Sequence, residues 1–239
     1  MQTTDIEYHA AGQRFVGYLA LEEGRAGKRP GVLVCHEGGG LADLTKSIAR
    51  RLADLGYVAF AMDYHGDGKL MTDMALVMPR LGALLTPPAP IREIATAALK
   101  VLRDQPQTDT SRLAAIGYCF GGTTVLELAR MGTDLKAVVG FHSGLATPQP
   151  AEPGAVKAIV LTQIGVDDPI ITADDRVAFE KEMAAAGADW RMMVYGGAGH
   201  SFTNPDVGRL GRPGFEYHQP TDERSWRVML DLFGEVFGA

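Results

Sequence analysis

Apolar runs of strand length alternate with amphipathic segments of helix length along most of this 239-residue chain, and that rhythm restricts the fold more than any other feature. The run Gly31-Val32-Leu33-Val34-Cys35 shows no polar alternation, which predicts a strand covered on both faces. A helical pattern over 44–55, closed by Gly56, precedes a second strand over 57–62. The same reading puts helix 91–103 before strand 112–118, helix 123–131 before strand 136–142, and strand 156–163 before helix 173–186. A strand over 190–195 and a helix over 221–237 complete the pattern. Repeated βαβ units with strands rich in Val, Ile and Leu predict the α/β class: a mostly parallel central sheet with helices on both faces. Ahead of it, Ile6 and Tyr8 alternate with polar residues, as do Phe15, Gly17 and Leu19, around Ala11-Gly12-Gln13; this predicts an N-terminal antiparallel hairpin over 4–21. No repeat or linker interrupts the chain, so residues 1–239 are read as one domain.

Two segments break the rhythm. Residues 66–90 carry Met71, Met74, Met78, Leu81, Leu84 and Leu85 ahead of Thr86-Pro87-Pro88-Ala89-Pro90. They read either as an adaptable lid over a pocket or as an amphipathic core helix. Residues 201–220, rich in Gly, Pro and Asn, are expected to form a loop.

The formal net charge of -6 argues against a nucleic-acid or anionic-membrane partner, each of which favours a basic face. The longest apolar stretches are too short for a transmembrane helix, and MQTTDIEYHA has no basic segment followed by an apolar one. Cys35 and Cys119 are the only cysteines, too few for a disulfide framework, so a reduced, cytoplasmic protein is expected.

The chemistry concentrates at strand ends. Gly117-Tyr118-Cys119-Phe120-Gly121-Gly122 lies between an apolar strand and a helical segment. A strand, a sharp turn flanked by glycines and a helix is the context of a nucleophile elbow, here with cysteine as the nucleophile. A cysteine nucleophile needs a base, a group to orient that base, and donors for a developing oxyanion. His200 follows strand 190–195 and Asp168 follows strand 156–163, giving the chain order nucleophile, acid, histidine. Asp167 competes with Asp168, and either could instead serve the turn before Pro169 or the helix near Thr172. The loop His36-Glu37-Gly38-Gly39-Gly40 follows the first long strand, where a backbone N–H for an oxyanion is expected. Glu37 is its unusual member, read as either a proton-holding group near the thiol or a rim salt bridge. His142, at the end of strand 136–142, is read as packing rather than chemistry.

His36-Glu37-Gly38-Gly39-Gly40, Gly117–Gly122, the G-x-x-D of Gly165–Asp168 and the G-x-x-H of Gly197–His200 together resemble the dienelactone hydrolase family of the α/β-hydrolase superfamily, as does Asp63-Tyr64-x-Gly66. The resemblance covers nearly the whole chain. It implies a Cys119–Asp168–His200 triad assisted by Glu37, which in that family pairs with the resting cysteine, and oxyanion donors at the backbone N–H groups of Gly38 and Phe120. It implies a hydrolase of a small ester or lactone that needs no cofactor or metal. Name-giving members bind a substrate carboxylate partly through an arginine four residues beyond the histidine. This chain has Asn204 there, with Arg80 and Arg92 as possible replacements. Asp63-Tyr64-His65-Gly66-Asp67-Gly68 has alternate oxygen ligands but Met74 at the twelfth position, which a calcium loop does not tolerate. No P-loop, G-x-G-x-x-G or H-E-x-x-H is present. Two rival readings are a thiol redox sensor, with Cys35 resolving Cys119, and a binding module without catalysis.

Overall fold

The computed structural model describes residues 1–238. The expected hairpin forms from β1 (Gln2–Ala10) and β2 (Gln13–Leu21), paired antiparallel around Ala11-Gly12. The remaining strands are β3 (Arg29–Cys35), β4 (Val58–Ala61), β5 (Thr108–Tyr118), β6 (Ala137–Phe141), β7 (Ile159–Gly165) and β8 (Trp190–Tyr195). They build one eight-stranded sheet in the order β1-β2-β4-β3-β5-β6-β7-β8. β2 joins β4 antiparallel, and every pairing from β4 to β8 is parallel.

Among the described residues six helices cover the sheet: α1 (Asp43–Asp54), α2 (Met74–Leu85), α3 (Ala89–Arg103), α4 (Phe120–Arg130), α5 (Ala173–Ala185) and α6 (Gln219–Phe237). The uninterrupted apolar strands are explained by two cores. Val32 and Val34 of β3 face a core with Ile48 and Leu52 of α1 and Met229 and Phe233 of α6. Leu33 and Cys35 face the other, with Leu81 of α2, Ile94 and Leu99 of α3, Leu126 of α4 and Phe179 of α5. Successive residues thus point to opposite covered faces, and both must be apolar.

Most bounds shift by a residue or two, and three elements start three or more residues from expectation. α4 begins at Phe120 rather than 123: Gly121 and Gly122 are poor helix formers, but their close packing against Cys35 and Ser143 draws them into the first turn. β5 starts at Thr108 rather than 112, since the polar stretch Thr108–Arg112 is drawn into pairing with Arg29 and Pro30. β7 runs from Ile159 to Gly165 rather than 156–163, which carries the strand up to the Asp167-Asp168 turn. Residues 201–220 are irregular apart from a 3-10 turn at Val207–Leu210 and the start of α6. With β3 and β5 to β8 parallel, the loops after β3, β5, β7 and β8 gather at one edge of the sheet.

Candidate active site

Cys119 sits between β5 and α4 with φ 53 and ψ -116, a backbone region that side-chain-bearing residues avoid. Such a conformation costs on the order of 1–3 kcal/mol and persists only where the surroundings enforce it. A Cβ added to Gly117 would strike the Gly121 carbonyl, and one on Gly121 would strike the Cys35 carbonyl. The two glycines therefore permit strand, turn and helix to press together. Because α4 starts at the next residue, Cys119 occupies its N-cap, beside unpaired N–H groups and the positive end of the helix dipole.

The loops after β8 and β7 bring a histidine and a carboxylate in line with that sulfur. His200 Nε2 lies 3.1 Å from Cys119 Sγ, and His200 Nδ1 lies 2.7 Å from Asp168 Oδ2. The imidazole is buried between the rings of Phe215 and His142, at centroid distances of 4.8 and 5.3 Å. Burial opposes its cationic form, but the adjacent Cys119 sulfur and the Asp168 carboxylate outweigh it and lift His200 from 6.5 to about 10. Asp168, not Asp167, meets the histidine. Its Oδ1 also accepts the backbone N–H groups of Ile170 and Ile171, at 2.8 and 3.2 Å, so the turn role and the histidine contact belong to one residue. Helix α5 is capped independently by Thr172 with Asp175.

Glu37 departs from what the resemblance implied. Its carboxylate accepts the Ser201 hydroxyl at 2.7 Å and the Asn204 amide at 2.6 Å, whereas the hydrogen bond at the sulfur goes to His200. The cause is local: Ser201 takes φ 55, which turns its hydroxyl to Glu37, and Asn204 supplies a neutral donor. Burial raises the Glu37 carboxyl above its ordinary 4.5, opposed by these two hydrogen bonds. Among the described residues, the N–H groups of Gly38 and Phe120 donate to no other protein group. Both are free to serve as donors.

Residues 15–237 match the model of the dienelactone hydrolase family. The chain belongs to that family. A Yersinia pestis protein, provisionally named a carboxymethylenebutenolidase, is 30% identical over 233 residues, covering 93% of this chain and 84% of that protein. Two solved structures are closer in sequence. One, named m3DLH, is 44% identical with a TM-score of 0.95, and 98% of each chain is covered. The other, a dienelactone hydrolase-like promiscuous phosphotriesterase from metagenomic libraries, is 40% identical with a TM-score of 0.94 and the same coverage. The fold is that of the α/β hydrolases, and the protein is a dienelactone hydrolase-like hydrolase.

In this dienelactone hydrolase family member neither candidate replacement for the missing arginine is free. Arg92 is bound to Glu127, at 2.6 and 2.9 Å, and to Gln149. Arg80 donates to His65 Nδ1 at 3.1 Å and to the Tyr64 carbonyl at 2.7 Å. Asp63 is an anchor rather than a cation ligand: its oxygens accept the N–H groups of Val16, His65, Gly66 and Gly68. Segment 66–90 proves to hold α2, whose Val77, Leu81 and Leu84 are buried while Met74, Leu76 and Met78 stay exposed. A Cβ added to Gly38 would meet Leu81 at 2.9 Å and Val77 at 4.0 Å, so α2 backs the candidate oxyanion loop. Cys35 is sealed in the core with its thiol against the Met62 sulfur at 3.2 Å, and burial pushes its pKa far up. Such a thiol is poorly suited to resolve a sulfenate on Cys119.

His142 does more than fill space. At φ 41, its Nδ1 accepts the Cys119 N–H at 3.1 Å and its Nε2 meets Thr203 Oγ1 at 2.9 Å. It thereby ties the backbone of the elbow to the loop that carries His200. Burial and the nearby His200 hold its pKa well below 6.5, so it stays a neutral acceptor. Its sequence signal was its place at the end of the strand next to β5, where Tyr118 pairs with Phe141. No helix among the described residues is long and apolar enough to cross a membrane.

Proposed function

We propose that the protein hydrolyses a small ester or lactone through an acyl-thioester on Cys119, in a site formed with His200, Asp168 and Glu37. The observation that carries this reading is the run of hydrogen bonds from Sγ through His200 to Asp168, at 3.1 and 2.7 Å. His200 holds the proton taken from the thiol while sulfur attacks the acyl carbon, and passes it to the departing alkoxide. The same imidazole then activates water against the thioester, which frees the acid and the thiol. Asp168 holds the proton-bearing Nδ1 and compensates the imidazolium charge. The Gly38 and Phe120 N–H groups receive the oxyanion, each worth about 3–4 kcal/mol when well aimed. Glu37 is an auxiliary carboxyl near the thiol, its removal slowing rather than abolishing turnover.

Residues 1–239 are read as one α/β-hydrolase domain, supported by the two cores that share one sheet. Two free cysteines fit a reduced, cytoplasmic setting. The likeness to a promiscuous phosphotriesterase adds a second substrate class, since the same sulfur and donors suit attack on a neutral phosphotriester. The test is a panel of p-nitrophenyl esters, lactones and a p-nitrophenyl phosphotriester, with wild type and Cys119→Ala. Turnover of esters or lactones that C119A loses supports the reading. Wild-type rates in C119A refute it, and turnover of the triester alone replaces ester hydrolysis with phosphotriester hydrolysis.

A further inference from the structure

Three consecutive carbonyls of the candidate oxyanion loop are each taken by a side chain. The Tyr64 hydroxyl lies 2.5 Å from the His36 carbonyl and 2.8 Å from the Glu37 carbonyl. His36 Nδ1 also reaches the Glu37 carbonyl, at 2.6 Å, and the Gly40 N–H adds a weaker contact at 3.3 Å. His65 Nε2 meets the Gly38 carbonyl at 2.7 Å, and since its Nδ1 accepts from Arg80, Nε2 carries the proton. Tyr64 is fully buried, stacked on His36 at 3.7 Å and tilted against Phe120 at 5.0 Å.

A peptide group is planar and trans, so the carbonyl of one residue and the N–H of the next point in opposite directions. Whatever fixes the Glu37 carbonyl therefore fixes the Gly38 N–H. Gly38 has no Cβ to hold its backbone, and the tight turn that follows leaves the peptide plane able to rotate. We propose that Tyr64 is a positioning residue for the oxyanion site: its hydroxyl, helped by His36 and His65, holds the carbonyl side of residues 36–38 so that the Gly38 N–H faces the reacting carbonyl. Arg80 serves the same end one step removed, by orienting His65, which also explains why it is not free to bind substrate. This inference rests on the proposed hydrolysis at Cys119 and names how one part of that site is aimed.

Tyr64→Phe deletes the hydroxyl and keeps the ring stacking. Three readouts separate aiming from general damage: kcat and KM on a p-nitrophenyl ester, inhibition by a trifluoromethyl ketone, and alkylation by iodoacetamide. The ketone carbon bonds to sulfur, the proton taken from the thiol stays on His200 and the carbonyl electrons go to oxygen, so its affinity reports the oxyanion donors. Alkylation uses the sulfur alone. In Y64F, kcat should fall about 10- to 100-fold, short of the roughly 100- to 1,000-fold that follows outright loss of such a donor. KM and alkylation should stay near wild type, and ketone affinity should weaken by the same factor as kcat. Unchanged kcat and ketone affinity in folded Y64F overturn the inference, as does an equal loss in alkylation. Should Y64F not fold, His65→Gln and His65→Leu decide: Gln restores the donor and should keep kcat, Leu should lose it, and equal rates refute the role. C119A retaining ester turnover would instead sink the catalytic reading, whatever Tyr64 does.

Discussion

Two carboxylates end in the same mouth and are held by opposite means. Asp168 meets an imidazole through one oxygen and two backbone N–H groups through the other, all from partners within a tight turn or the loop after β8. Glu37 meets a hydroxyl and a side-chain amide, both neutral and both from the loop after β8. The first arrangement answers negative charge with a cation lifted to about 10; the second leaves a dehydrated carboxyl with a raised pKa. Similar groups are thereby placed in different surroundings, one facing an imidazole and the other dehydrated among neutral donors.

That contrast can be broken most forcefully at Asp168. Asp168→Asn keeps the turn's acceptor but removes the charge and permits the wrong histidine tautomer, so kcat should fall on the order of 10,000-fold with KM little changed. A loss under tenfold would show that the anion is not needed. Glu37→Gln should lower kcat by only about tenfold, in the range of a contribution to proton transfer rather than the whole of it. It also has a stability signature. A carboxyl whose folded pKa is raised above 4.5 contributes stability that is complete below that value and lost as pH rises through the folded pKa. Melting temperature should therefore favour E37Q over wild type more at neutral pH than well below 4.5; a difference independent of pH would contradict this account. The smallest effect concerns the cation opposite Asp168. With its folded pKa lifted from 6.5 to about 10, His200 contributes stability that is complete below 6.5 and fades as pH rises through about 10. His200→Gln should accordingly cost more in melting temperature below 6.5 than above about 10, and a constant cost would argue that Asp168 and Cys119 do not stabilise the imidazolium.

The same contrast explains how much could be read from the chain. Asp168, Cys119 and His200 were legible because each follows a strand whose apolar run is unmistakable, and parallel topology brings such ends together. The glycines at 117 and 121 were legible because close approach leaves a mark in composition. Glu37 was visible as an oddity in a glycine loop, but its partners were not, since Ser201 and Asn204 reach it only through a positive φ at Ser201. His142 and Tyr64 hid for a related reason. His142 lies just past the apolar end of β6 and Tyr64 just past β4, and neither position announces its hydrogen bond: His142, at positive φ, accepts from the elbow, and Tyr64 donates to the candidate oxyanion loop. The early start of α4 was masked by Gly121-Gly122, whose low helix propensity is overridden by packing against β3 and β6.

The most direct test of the central claim is intact-protein and peptide mass spectrometry after brief mixing with a p-nitrophenyl ester. An acyl group on the peptide that carries Cys119, formed within the first turnover, absent from Cys119→Ala and discharged on the timescale of kcat, is the predicted result. Steady ester hydrolysis by wild type and C119A alike, with no acylated Cys119 at any time, would contradict it.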